Sequence, residues 1–335
     1  MANKSWVLAG AATLLVILTA IAIFWPHKLA PPPPEPLTIA IANALLSTPL
    51  LVADRQGFFT DAGLQVTFQR HPTGKQALDA VIRGEAEVAT VAETPIVFAS
   101  LKGAPFDIIA NFALTSEHSL MARADRGIRQ VTDLRGRRIG IGIGTTAHYF
   151  LHVLLSDEGL LETDVELVPL LESEQATALV AGRVDAVATF EPYAAECQRV
   201  LGDNSLSFSA NIRYIGFSSL VTSREFSRQR PETAFRLLWA IDRAITWMRR
   251  YRQEAIQFAA QEFDISVAAV EKTWDHLQPG LILDQSFILL LEAEARWAMN
   301  IGLVPVVAMP NYLDYIDPSV LKQLRSEAVT VIKKS

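Results

Sequence analysis

The residues best suited to chemistry sit in one stretch. Ile139-Gly-Ile-Gly-Ile-Gly144 is followed by Thr145-Thr146 and then by Ala-His148-Tyr-Phe-Leu-His152-Val-Leu-Leu. An apolar run with small spacers predicts a buried strand over 137–142, and Gly144-Thr145-Thr146 is N-cap chemistry for a largely buried helix beyond it. A strand that stops in glycine before a helix that starts in threonine aims unpaired backbone N–H groups, and the positive end of the helix dipole, at the space ahead. Such a space suits a small anion. The same residues also serve as a plain tight turn. A nucleotide loop is a poorer reading, because Gly140, Gly142 and Gly144 are spaced G-x-G-x-G rather than G-x-G-x-x-G and no lysine follows them. Ser47, Thr48, Thr94 and Ser218 offer neutral donors from other loops. No arginine or lysine falls within these motifs, so a monoanion is expected over a dianion. Two glutamates, Glu93 and Glu191, stand just before prolines; facing the ligand they would favour an anion that also carries an ammonium group, and otherwise they cap helices or pair internally. His148 and His152 are spaced i, i+4 and could share a metal. On a helix this apolar we expect one to face the crevice and the other to be packed or solvated, with no metal and no cofactor.

The elements that must position these residues alternate. Strands are predicted at 37–42, 64–69, 88–91, 106–110, 119–123, 165–169 and 186–189, with helices near 50–56, 76–83 and 174–181 between them. That order implies an α/β fold with parallel pairing and right-handed crossovers. After about Pro231 the chain turns helical, with further helices near 267–276, 285–300 and 320–332. An internal repeat supports the reading: Gln76 to Pro95 matches Gln175 to Pro192, each copy running helix, glycine (Gly84, Gly182), acid (Glu87, Asp185), strand, glutamate (Glu93, Glu191) and proline. Two similar lobes would then present Glu93 and Glu191 to one cleft at the carboxyl ends of the strands.

The start of the chain reads differently. Residues 6–25, bounded by Trp6 and Trp25, carry no charge, and at 1.5 Å per residue they reach about 30 Å, a bilayer's hydrocarbon thickness. An uncleaved anchor over residues 1–25 is favoured over a cleaved signal, with the proline-rich residues 26–36 as an extended spacer. The remaining length exceeds one comfortable core and implies two lobes. A net charge of −6 with scattered basic residues argues against nucleic acid. Cys197 is the only cysteine, which excludes a disulfide framework and a cysteine-built zinc site. No G-x-S-x-G setting surrounds Ser218, and no sugar-binding aromatic cluster accompanies the glutamates, so hydrolase chemistry is not expected.

Taken together, Ala53-Asp-Arg-Gln-Gly-Phe-Phe-Thr-Asp-Ala-Gly-Leu, Gly84-Glu-Ala-Glu-Val-Ala, Glu93-Thr-Pro, Asp133-Leu-Arg-Gly-Arg, Gly144-Thr-Thr-Ala-His-Tyr and Phe190-Glu-Pro-Tyr make the chain resemble periplasmic solute-binding proteins of the nitrate/sulfonate/taurine/bicarbonate type, which serve ABC importers. The resemblance spans about Leu37 to Leu324. It implies a monomeric two-lobe, type II-like periplasmic-binding-protein fold, with lobe one at 37–112 plus 221–334, lobe two at 113–220, and crossings near 111–113 and 216–220. It also implies permease and ATPase partners and a small anionic or zwitterionic solute held between the lobes. Asn111 and Phe217 at the crossings, and Phe190 where many relatives carry tryptophan, join the candidate ligand-binding residues. A sensor or regulatory subunit using the same cleft is the alternative output, and nitrate, bicarbonate or a thiamine-pyrimidine precursor are alternative solutes. The thiamine-pyrimidine synthases of this fold carry a cysteine-rich iron motif, which one cysteine cannot supply.

Overall fold

The repeated unit of helix, glycine, acid and strand seeds both halves of the molecule, as a computed structural model shows for residues 33–116, 118–209 and 215–332. In each copy the acid caps the neighbouring parallel strand. Glu87 Oε2 accepts the Thr38 N–H at 2.8 Å while its own N–H donates to the Thr38 carbonyl at 3.1 Å. Asp185 does the same to Arg138, at 3.0 and 2.8 Å. Gly84 and Gly182, at φ +74° and +67°, close the preceding helices in the left-handed conformation that favours glycine.

The chain divides into two units, Met1–Pro34 and Glu35–Ser335. The anchor expected over residues 6–25 lies outside the described residues, and among the described residues no helix is long and apolar enough to cross a membrane. Glu35 and Pro36, expected in the spacer, belong instead to the first strand, where Glu35 is held by Arg230, Thr233 and Arg236.

The first sheet is built from β1 (Glu35–Ala42), β2 (Leu64–His71), β3 (Val88–Ala92) and β4 (Asp107–Thr115), with α1 (Thr48–Arg55), α2 (Gly74–Ile82) and α3 (Glu93–Leu101) between them. The second holds β5 (Ser119–Arg123), β6 (Arg138–Ile141), β7 (Glu166–Pro169), β8 (Ala186–Thr189) and β9 (Ser205–Phe208), with α4 (Thr146–Asp157), α5 (Glu172–Val180) and α6 (Tyr193–Leu201). The chain then returns as β10 (Gly216–Thr222) and continues through α7 (Pro231–Arg250), α8 (Arg252–Glu262), α9 (Val267–Trp274), β11 (Leu277–Ile282) and α10 (Gln285–Asn300). Strand order is β11-β4-β10-β3-β1-β2 in one sheet and β7-β6-β8-β5-β9 in the other.

The sheets are mixed, not parallel throughout. β1, β2 and β3 pair in parallel, as do β6, β7 and β8, but β10 runs antiparallel to β3 and β4, and β5 antiparallel to β8 and β9. The reason is where the chain changes sheets. It leaves after Thr115 and returns at Gly216, which are paired neighbours at the carboxyl edge of the first sheet, so the returning strand must run the opposite way. The ranges 111–113 and 216–220, expected as crossings, are therefore strand residues of the first sheet.

Leu37, Ile39, Val88, Ile108, Phe112, Leu220, Ile241 and Phe287 lie in the first core, and Ile139, Ile141, Phe150, Leu151 and Leu155 in the second. Cys197 is buried in a third cluster with Leu179 and Val187. Burial pushes its thiol up to about 12, which leaves it unreactive. The helix expected over 320–332 is confined to Ser319–Leu324, because the chain beyond is drawn out against Leu283, whose N–H donates to the Ala328 carbonyl and whose carbonyl accepts from Thr330.

Candidate functional site

Because both sheets meet at their carboxyl edges, the helices that follow their strands point N-termini at a common space. Thr73 caps α2, its Oγ1 accepting the Gln76 N–H at 3.4 Å. Thr145 is held to the Gly142 carbonyl by its hydroxyl at 2.7 Å, which sets the entry into α4. The first N–H groups of α4, at Thr146 and Ala147, donate to no backbone carbonyl among the described residues. Between these two ends lies a cavity of about 50 Å³ lined by Ser47, Thr73, Lys75, Thr146, Phe190 and Ser218, among others. That is room for a few waters or one small oxoanion group.

The cavity is electropositive without being strongly charged. Thr146 is 5 % exposed, and its Oγ1 has no hydrogen-bond partner, so a buried donor is available on the wall. Among the described lining residues Lys75 is the only charged one, and it sits at the exposed rim. His118 closes one end against Phe150 and Phe190, with ring centroids 5.8 and 6.0 Å away. Burial drives its imidazole down to about 4, so it is neutral at pH 7.

The sequence candidates separate into two groups. Ser47, Thr145, Thr146, Phe190 and Ser218 line the cavity; Ser47 Oγ donates to the Ala42 carbonyl at 2.8 Å. The others do other work. Thr48 Oγ1 donates to the Leu45 carbonyl at 2.5 Å, and Asn111 Oδ1 accepts from Ser219 Oγ at 2.7 Å, both away from the lining. Gly144 donates its N–H to His148 Nδ1 at 3.3 Å, and Phe217 packs on Phe287 at 5.1 Å between centroids.

Glu93 and Glu191 do not share a cleft. Glu93 follows β3 without a loop and turns inward, where Oε2 accepts the Phe217 N–H at 2.8 Å. Thr94 follows it in the chain and is buried as well, away from the cavity lining. Glu191 folds back on its own helix, Oε2 accepting from Ala195 at 3.0 Å, and lines a separate crevice that includes Lys272. Nor does either histidine of the i, i+4 pair face the cavity. Both grip Glu162: His148 Nε2 lies 3.2 Å from Oε2, and His152 Nδ1 lies 3.1 Å from Oε1.

Sequence reasoning missed Thr73, Lys75, Thr90 and His118. Thr73-Gly74 at the start of α2 is the same N-cap chemistry as Thr145-Thr146, placed just ahead of the repeat's first residue. It could have been found by reading the N-cap signal three residues ahead of Gln76.

Two mixed α/β sheets joined at their carboxyl edges over such a cavity define a periplasmic-binding-protein fold, shared by solved structures of that class. Residues 46–255 match the NMT1/THI5 like family, and the chain belongs to it. A putative aliphatic sulfonates-binding protein of Bacillus subtilis (strain 168) is 25 % identical over 250 residues, covering 72 % of this chain and 74 % of that one. The alkanesulfonate-binding protein SsuA from Xanthomonas axonopodis pv. citri, bound to MOPS, superposes with a TM-score of 0.75 at 22 % identity, over 85 % of this chain and 99 % of that one. The desulfurization enzyme DSZB, solved as a mutant in complex with biphenyl-2-sulfinic acid, has the same fold with a TM-score of 0.62 at 20 % identity, over 87 % of this chain and 98 % of that one.

Proposed function

We propose that the protein is the substrate-binding component of an ABC importer, closing around a small monoanion, best represented by an alkanesulfonate, and delivering it to permease and ATPase subunits. One observation carries the reading: helix N-termini from both sheets, with the unpartnered Thr146 hydroxyl, converge on a narrow cavity whose described lining holds no carboxylate. An anion there is stabilised by two helix ends and by N–H and O–H donors at once. The relatives' names point to the same ligand class. Lys75 adds a cation that the motifs themselves lack, yet at the rim it serves attraction more than compensation of a second buried charge. The protein works at the extracytoplasmic face, with residues 6–25 as its tether. Binding, not turnover, is its role, and the buried, protonated Cys197 offers no nucleophile.

A thermal-shift series over ethanesulfonate, taurine, nitrate, bicarbonate and a pyrimidine precursor tests the assignment, since a ligand that binds only the folded state raises the midpoint. Sulfonates are expected to raise it, and Thr146→Val to weaken ethanesulfonate by about 1 kcal/mol, roughly fivefold, through one lost hydrogen bond. A shift with nitrate or bicarbonate and none with any sulfonate overturns the choice of ligand.

A further inference from the structure

Among the described residues, His118 alone lines both the cavity and a second, wider crevice. The cavity measures about 50 Å³ and the crevice about 430 Å³, the latter running along Ser119, Gln198, Lys272, Thr273 and His276. A single row of rings stands where the two adjoin. Phe150, 1 % exposed in the second core, stacks on His118 at 5.8 Å and 29° between ring planes. Phe190 meets the imidazole edge-on at 6.0 Å, and Tyr193 meets Phe190 at 5.5 Å and 85°. Stacked and edge-to-face pairs at these separations attract. The far end of the row is tied to the first sheet, where the Tyr193 hydroxyl donates to the Pro72 carbonyl at 3.1 Å. Packed into a core at one end and bonded across the cleft at the other, the row resists displacement by a ligand.

An anion held at Thr146 leaves two directions for any chain it carries. On the side of Thr73 and Lys75 the cavity adjoins a crevice walled by Asp79, Glu172 and Glu174, where an apolar chain would take carboxylates out of water. In the other direction lie Phe112, Phe190 and His118, an apolar surface in a small space. We propose that His118 is a specificity-determining residue that sets the length of the solute, ending the cavity where the adjoining crevice would otherwise continue it. Beside an oxoanion head the cavity leaves room for about two carbons. The ligand class is then a monoanion with a short organic chain or none. A longer chain meets the row of rings, and overpacking a close-packed wall is unfavourable. The assignment rests on the anion-binding reading above.

Calorimetry on the full chain with methane-, ethane-, butane- and hexanesulfonate, for the parent, His118→Ala and His118→Phe, separates the two claims. The parent is expected to bind ethanesulfonate best and to lose about tenfold or more at butanesulfonate and beyond. In His118→Ala the longer chains regain affinity by about fourfold for each methylene that enters the crevice, while methanesulfonate changes by less than about threefold. His118→Phe restores a ring of similar bulk and keeps the cut-off. Should His118→Ala not fold, His118→Val carries the test with a smaller gain. Equal affinity of the parent for ethane- and hexanesulfonate, or an unchanged length profile in the smaller variants, overturns the assignment while leaving sulfonate binding intact. Binding of no member of the series to the parent overturns the sulfonate reading and the assignment with it.

Discussion

Glu93 and Glu294 form a carboxyl pair taken wholly out of water. Glu93 is fixed by the Phe217 N–H, and Glu294, 0 % exposed on α10, is raised well above the usual carboxylate range by burial and then by the Glu93 charge. Burial, and then the Glu93 charge, both favour the protonated form of Glu294 in the folded protein. Its pKa is higher folded than unfolded, so its contribution to stability is complete below the unfolded value of about 4.5 and is lost as pH rises toward the folded one. Glu294→Gln keeps the shape and removes the titration. Thermal unfolding from pH 5 to pH 8 should show the variant gaining on the parent as pH rises; a constant offset would mean that Glu294 is already ionised at pH 5. Glu93 was legible as a residue of consequence, because it ends a repeat. Its partner was not, since Glu294 lies in Leu-Leu-Leu-Glu-Ala-Glu-Ala-Arg, where an acid reads as the wet face of a helix and only the packing of α10 on α3 makes it dry.

Helix α4 does two jobs at opposite ends of its first turns. Thr146 offers donors to the cavity, and His148 and His152 hold Glu162, which also accepts the indole N–H of Trp297 at 2.9 Å. Burial alone would raise Glu162, but these three partners bring it down to about 2. Trp297 belongs to α10, which packs on the first sheet's α3, so one hydrogen bond to Glu162, which α4 grips, ties the cavity-facing helix of the second sheet to the first. Trp297→Phe should destabilise the protein by about 1.5–3 kcal/mol, the worth of a hydrogen bond to a charged group, as read from urea unfolding; an unchanged midpoint would assign the tie to ring packing alone. Elements were unevenly legible. β5, β8 and α10 begin and end where periodicity puts them, being buried runs flanked by clear punctuation. β10 and β11 were invisible because their strand character is borrowed from β4: β10 carries Ser218 and Ser219 where a free-standing strand would carry branched residues, and β11 contains Pro279-Gly280, which an edge strand tolerates.

At the scale of the whole molecule, the hydrogen bonds that bridge the sheets among the described residues include Leu45 N–H to the Glu191 carbonyl at 3.3 Å, Asn43 Nδ2 to the Tyr193 hydroxyl at 3.5 Å, Tyr193 hydroxyl to the Pro72 carbonyl at 3.1 Å, and Trp297 Nε1 to Glu162. Each is a single bond that can open, while the strand pairs on either side of the crossings cannot. Relative rotation of the two sheets about the points where the chain leaves Thr115 and returns at Gly216 is the hinge expected of such an arrangement. Small-angle scattering should show a smaller radius of gyration with saturating ethanesulfonate than in its absence; an identical radius at saturation would argue for a rigid site.

The ends of α2 and α4 face the same small volume from opposite sheets, and each helix N-terminus carries about half an elementary positive charge. Without an anion between them like poles meet, and the cleft holds a weak spring. An anion bound as proposed would turn that repulsion into two attractions and act as the clasp. On the proposed function, unloading would need no push on the protein: a partner that drew the anion away would leave two facing positive ends, and their repulsion would favour reopening.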